Sequence, residues 1–449
     1  MLSRKSEIIA PRPWRATALA NVPLVIAMLA MIPLGQLLEG SWGQENLDAY
    51  FTRLPILVGI NIILAVSLQL INGYSGQFSL GHAGFMAVGA YMAAYPAIEY
   101  SQQFSNPGAC VIFFVALGIC VAIGATPPMI LFILLRKTKQ FHRSLPAALL
   151  IATVIWIVAD IASAASAPKT PVWTIWTRFL AALENLYGWI VLHAGPIAGH
   201  LLAWLPDLLR KPACFVILLI GAGLCASAVG FIVGLPALRL RGDYLAIATL
   251  GFGEIIRIAI TNDSTLGGAL GLSGIPRYTD FTWLYICVII TVAVIWRVAY
   301  SPKGRAIMAV REDEIAASSI GINTTSYKVT AFTIGAFFAG LAGALYAMHE
   351  SSITPSSFGI IKSIEPVVMV TLGGLGSISG AILAAIILTL LPEVLRSISP
   401  DERMVIYSLL LVVMMILRPQ GLLGGRELWF GKWSRTRKPR TPAREAVPA

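Results

Sequence analysis

Charge is what this sequence is short of. Only 12% of its 449 residues are Asp, Glu, Lys or Arg, against roughly a quarter in soluble domains, while 57% are hydrophobic. That balance excludes an ordinary soluble domain, whose core has no use for so much apolar surface. Chemistry-bearing motifs are scarce as well. No Gly-x-x-x-x-Gly-Lys-Ser/Thr phosphate loop occurs, so the chain has no ATP cradle of that kind. No His/Glu or His/Cys cluster has metal spacing, and no nucleophile elbow is found. His82, His142, His193, His200 and His349 are scattered, and Cys110, Cys120, Cys214, Cys225 and Cys287 sit in apolar stretches as small core hydrophobes. The reading is a chain that is not an enzyme, with no catalytic residue, metal or cofactor of its own.

What is present is length without charge. Residues 16–38, 54–98, 107–135, 212–238, 366–392 and 404–417 form charge-free runs. A helix needs about 20 apolar residues to cross a bilayer core, so the pattern predicts an all-α, polytopic transmembrane bundle of about 10 to 12 spans. The net charge of +11 is placed between spans. Arg4, Lys5, Arg12 and Arg15 lie at one end, and Arg426, Lys432, Arg435, Arg437, Lys438 and Arg440 at the other. By the positive-inside rule both termini are expected in the cytoplasm, with membrane lipid and not nucleic acid as the neighbour. The first apolar run has no Ala-x-Ala-like cleavage site and reads as a retained span.

The organisation expected is a tail with first helices over 1–135, an inserted span and interfacial segment over 136–211, a core over 212–424, and a basic tail over 425–449. Trp173, Trp176, Trp189 and Trp204 suggest an interfacial belt on the outer face. Within the core, spans are expected at 244–260, 281–298, 329–348, 365–372 (short), 378–391 and 404–417.

Breaks in the apolar runs carry the mechanism. After a span over 54–71 and a turn at 72–77, residues 72–91 hold Gly73, Gly76, Gly81, Gly84 and Gly89 among Ser75, Gln77, Ser79 and His82. Polar groups and freed backbone at membrane depth are tolerated against protein or a water-filled cavity, so the segment lines a substrate path, packs helices closely, or does both. A second such segment, 371–381, holds Gly373, Gly374 and Gly376 and hints at two related halves. Between them, a segment with Thr249 places Glu254 and Arg257 at i and i+3, where they can pair. An ionisable group in a span is a functional candidate, although a self-neutralising pair reads first as structural. Thr249 and Glu254 join the candidate path.

The polar loop 301–328 spaces Ile307, Met308, Ile315 and Ile320 among charges at helical period, predicting an amphipathic helix outside the membrane. Arg311, Glu312, Asp313 and Glu314 are net acidic as a group, which favours a protein partner over a lipid surface.

At this loop the sequence resembles the membrane subunits of ATP-binding cassette (ABC) importers, which carry a cytoplasmic Glu-Ala-Ala, three residues, Gly motif. Ala316, Ala317 and Gly321 keep that spacing and Glu314 stands one residue early. The blocks 73–85 and 241–255, and Arg418-Pro-Gln-Gly-Leu-Leu-Gly424, are similar to LivM-type permeases of branched-chain amino acid importers. The resemblance covers about 54–135 and 212–424, with 136–211 as an insertion. It implies a bacterial inner-membrane importer with a second, LivH-like permease, two cytoplasmic ATP-binding subunits that use ATP and Mg, and a periplasmic substrate-binding protein. Glu314, Ala316, Ala317 and Gly321 would then couple to the ATPase. The alternatives are a related ABC importer permease for urea, short amides or another small solute and, from another class, an ion-coupled secondary transporter.

Overall fold

The computed structural model describes residues 28–33, 35, 49–99, 110–118, 207–240, 242–398, 403–418, 420–423 and 427. Residues 136–206, nearly all of the segment expected as an insertion, and most of the apolar runs at 16–38 and 107–135 fall outside the described residues, as does Cys120.

Among the described residues the chain is helical with one small exception. Helix α1 (Ala49–Leu68) runs into a π-helical turn, Gln69–Tyr74, and α2 (His82–Glu99) follows after a non-helical stretch. Next come α3 (Asp207–Ala237), α4 (Asp243–Asn262) and α5 (Phe281–Ala299). Two short helices, α6 (Pro302–Glu312) and α7 (Glu314–Ser319), lead to α8 (Thr324–Glu350). Helices α9 (Ile360–Gly373), α10 (Ile378–Ile398) and α11 (Arg403–Leu417) complete the bundle. The exception is an antiparallel two-residue pairing of β1 (Leu272–Ser273) with β2 (Ser352–Ile353), which ties the loop after α4 to the loop after α8.

Among the described residues, seven helices are long and apolar enough to cross a membrane, which makes this a multi-pass membrane protein. They divide by burial. In the most apolar window, 83% of Arg53–Tyr74 and 78% of Thr324–Glu350 is buried, against 22% of Asp243–Asn262 and 33% of Phe281–Ala299. Helices α1 and α8 therefore form the centre. Helix α3 packs one face on α8, where a Cβ on Gly340 would meet Ala226, and shows Ile220, Leu224 and Phe231 on its surface, a pattern suited to lipid.

Small residues set the central packing. Helix α8 reads Gly335, Ala336, Ala339, Gly340, Gly343, Ala344, Ala347 along its buried side. A Cβ on Gly89 would collide with the Gly340 carbonyl, and one on Gly343 with the Met86 carbonyl. Backbones of α2 and α8 thus meet directly, the geometry by which membrane helices gain dispersion contact without a hydrophobic drive.

Several expected boundaries move. The turn at 72–77 is in fact π-helix up to Tyr74, and the chain extends only from Gly76. The short span 365–372 is a 14-residue helix, Ile360–Gly373, led by a 3-10 turn at Pro355–Phe358. The single amphipathic helix of 301–328 is two helices broken at Asp313, because that carboxylate caps the second. Asp313 Oδ1 accepts from Ile315 N (2.8 Å) and Ala316 N (3.0 Å), satisfying donors that a helix start leaves open.

Candidate functional site: two broken helices and a helical arm

The first break follows the π-turn. Its backbone is held partly by capping: Ser75 N donates to Leu70 O (3.1 Å), Ser75 Oγ to Ile71 O (2.8 Å) and Gln77 N to Ile71 O (3.1 Å). Gly76 sits at φ 68°, a conformation that costs an L side chain about 1 to 2 kcal/mol. Distant elements hold the rest. Ser79 N donates to Asn72 Oδ1 (3.2 Å), Leu80 N to Thr249 Oγ1 on α4 (3.0 Å) and Ala83 N to Ser363 Oγ on α9 (3.1 Å). Thr249 is itself buried and donates to Ala246 O.

His82 opens α2 and is fully buried. The Ser67 hydroxyl donates to Leu64 O, so His82 Nε2–H donates to Ser67 (2.8 Å). His82 Nδ1 is then left without a partner among the described residues, along with both side-chain amide atoms of Gln77, Nδ2 of Asn72 and Oγ of Ser79. A buried polar atom left unpaired costs about 1 to 3 kcal/mol, so a cluster of them marks a place for water or a polar solute.

The second break is a tight loop from Gly374 to Ser377. Gly374 (φ 106°) and Gly376 (φ 91°) turn the chain, and a Cβ on Gly373 would collide with the backbone of Gly380. Glu427 caps the helix that follows, accepting from Ile378 N (2.7 Å), Ser379 N (3.1 Å) and Ser379 Oγ (2.5 Å). A carboxylate at a helix N-terminus is favoured by the dipole and by the open N–H groups. The Arg418–Gly424 block docks here too, with Leu422 N donating to Leu372 O (2.7 Å). Tyr300 lies beside this cap, and burial together with the Glu427 charge pushes its phenol pKa upward.

The two breaks touch. Gln69 Nε2 donates to Gly374 O (3.0 Å) and Ser377 O (3.2 Å). Arg311, at the end of α6, reaches both: its Nη1 donates to Gly73 O (2.6 Å), its aliphatic stem lies where a Cβ on Gly76 would be, and Nη1 lies beside Gly376. Gly73, Ser75, Gly76, Gln77, Ser79, Gly81, His82, Gly374 and Gly376 are therefore gathered into one region, with Thr249 at its edge. Gln69, Arg311, Ser363 and Glu427 belong to it although motif reading passes over them. Glu254 stands apart, paired with Arg257 at 2.7 Å as its spacing predicts.

The arm itself presents a surface. Ala317 is buried against the bundle and Glu314 pairs with Lys328 (2.8 Å), while Ile315, Ala316, Ile320 and Gly321 face outward. Ile315 is 69% exposed and Ile320 75%. The helix ends by a Schellman closure: Ile322 N donates to Ala317 O (3.1 Å) and Gly321 N to Ser318 O (3.0 Å), with Gly321 at φ 88°. Among the described residues no atom lies within 4 Å of where its Cβ would be, so within this chain Gly321 serves backbone conformation and not a close contact.

The family described as branched-chain amino acid transport system / permease component matches residues 50–170 and 179–417. LivM of Salmonella typhimurium, a high-affinity branched-chain amino acid transport system permease protein, is 42% identical over 237 residues, covering 45% of this chain and 56% of that one. LivM of Escherichia coli matches to the same extent. LivH of Escherichia coli is 35% identical over 133 residues, 29% of this chain and 42% of that one. The chain thus spans about half the length of the LivM relatives it matches. No solved structure matches it. With the family match extending over most of its length, this chain belongs to the branched-chain amino acid transport system permease family.

Proposed function

We propose that the chain is a translocation subunit of an ABC importer for branched-chain, hydrophobic amino acids. It works in a bacterial inner membrane with both termini inside, beside a LivH-like permease, two ATP-binding subunits that use ATP and Mg, and a periplasmic binding protein. The substrate class comes from the relatives' names, and the matching of both LivM and LivH supports a paired permease.

The single observation that carries the mechanism is Arg311. It places one charged side chain of a cytoplasmic helix against both broken helices, with a charge-assisted bond to Gly73 O. Helix α7 shows a small apolar face to the outside immediately beyond it. Partner ATPases seated on Ile315 and Ile320 would move α7 and α6 together, and Arg311 would carry that movement to Gly73 and Gly376. Opening and closing at these breaks gives alternating access, while the unpaired polar atoms near Gln77 and His82 line the inner side of the path. Chemistry stays with the partners.

Ile315→Asp combined with Ile320→Asp tests the docking half. Neither side chain is packed in the bundle, so the permease keeps its fold while ATP-binding subunits are expected to be lost on co-purification. Retention of a full complement of ATPase by a folded double variant would refute it.

A further inference from the structure

Beside the first break, where α4 and α9 meet, the two helices border an open pocket of about 530 Å³, within the few hundred to a thousand cubic ångströms of small-molecule sites. Two ion pairs line it. Glu254 and Arg257 meet at 2.7 Å on α4, and Lys362 and Glu365 meet at 2.7 Å on α9. Each pair alone is an ordinary helix neighbour contact. Two such pairs on separate helices, lining one cavity, are a different matter.

Charged groups in helices of membrane-spanning length cannot face hydrocarbon cheaply, and they gather on protein interiors or water-filled paths. All four side chains keep partial exposure, from 22% for Glu254 to 41% for Glu365. Each also has capacity left over. Arg257 engages Glu254 through Nε, and the guanidinium carries further N–H donors on its terminal nitrogens; Lys362 uses one of three ammonium hydrogens. The cavity thus offers acceptors and donors together at zero net charge. A simple anion or cation would be drawn by one pair member and repelled by the other. A neutral amide such as urea needs none of them. A zwitterion, with ammonium and carboxylate on one carbon, matches both signs at once. Ile360 and Ile361, 43% and 80% exposed on the same wall, supply apolar surface for its side chain, and Ser356 and Ser357 add hydroxyls.

We propose that this cavity is a binding station for the zwitterionic head group of the transported amino acid, with the carboxylate toward Arg257 and Lys362 and the ammonium toward Glu254 and Glu365. The inference rests on the importer reading and adds to it a place and a recognition chemistry.

The test uses the whole importer in membrane vesicles with its binding protein. Uptake of radiolabelled leucine is measured first; if the wild type takes up no amino acid, the importer reading fails and this inference with it. Given uptake, Ile361→Cys is labelled with a membrane-impermeant maleimide. Saturating leucine is expected to slow labelling about tenfold, as bound solute covers the site, while urea leaves it unchanged. Labelling indifferent to leucine, with uptake intact, overturns the cavity assignment alone. Arg257→Gln and Lys362→Gln are each expected to raise the apparent KM for leucine about tenfold or more, the loss of one charge-assisted hydrogen bond. Assembled variants with wild-type KM overturn the assignment as well. If either variant fails to assemble, the labelling result decides.

Discussion

The two broken helices are built from the same small residues and held in different ways. At the second break, the glycines turn the chain, Glu427 accepts three hydrogen bonds at the start of α10, and Leu422 bonds back to Leu372. At the first, a π-turn strains the helix end, and Asn72, Gln77, Ser79 and His82 keep buried polar atoms without partners among the described residues. π-turns and unsatisfied polar atoms are features of sites that move or bind. The second break is thus the anchored side of the pair and the first the movable one, with Arg311 and Gln69 spanning the gap.

Substitutions that separate stability from transport sharpen this contrast. The largest stability loss is expected at the anchored side, from Gly373→Val. Its Cβ would strike the Gly380 backbone, which cannot give way, and about 3 kcal/mol of overpacking strain should lower the melting temperature of the purified protein. Glu427→Ala comes next, at about 2 kcal/mol, because it strips charge-assisted bonds from a helix start, and amide exchange at Ile378 and Ser379 should speed up. Gly76→Ala should cost about 1 to 2 kcal/mol from its positive φ, less than Gly373→Val because the nearest atom it meets, Arg311 Cγ, is side chain and not backbone. The smallest effect is expected from Gln77→Leu. Its amide has no partner to lose, so stability should change by under about 1 kcal/mol while uptake falls. A Gln77→Leu protein less stable than Glu427→Ala would reverse the assignment of anchored and movable sides.

Much of this was legible in the linear order of residues. Helix-forming apolar runs and the placement of glycines gave the bundle and its breaks, since both follow from local backbone preference and from the length needed to cross a bilayer. The Glu254–Arg257 pair was equally readable, being three residues apart on one helix. What was not legible joins distant positions. Arg311 bonds to Gly73 across 238 residues and Glu427 to Ile378 across 49, and neither carries a local pattern that points to its partner. The break at Asp313 did carry a signal, a capping residue ahead of an Ile-Ala-Ala run, but helical periodicity runs through such a cap unchanged and hid it. The second ion pair, Lys362–Glu365, was hidden differently: it lies at a helix start that the apolar pattern placed several residues too late.

The most direct test of the account is the coupling ratio of Arg311→Ala, measured as leucine imported per ATP hydrolysed by the assembled importer in vesicles. If Arg311 carries movement from the α6–α7 arm to both breaks, ATP hydrolysis stays within about twofold of wild type while uptake falls about tenfold or more. An assembled Arg311→Ala importer that keeps the wild-type ratio would contradict it.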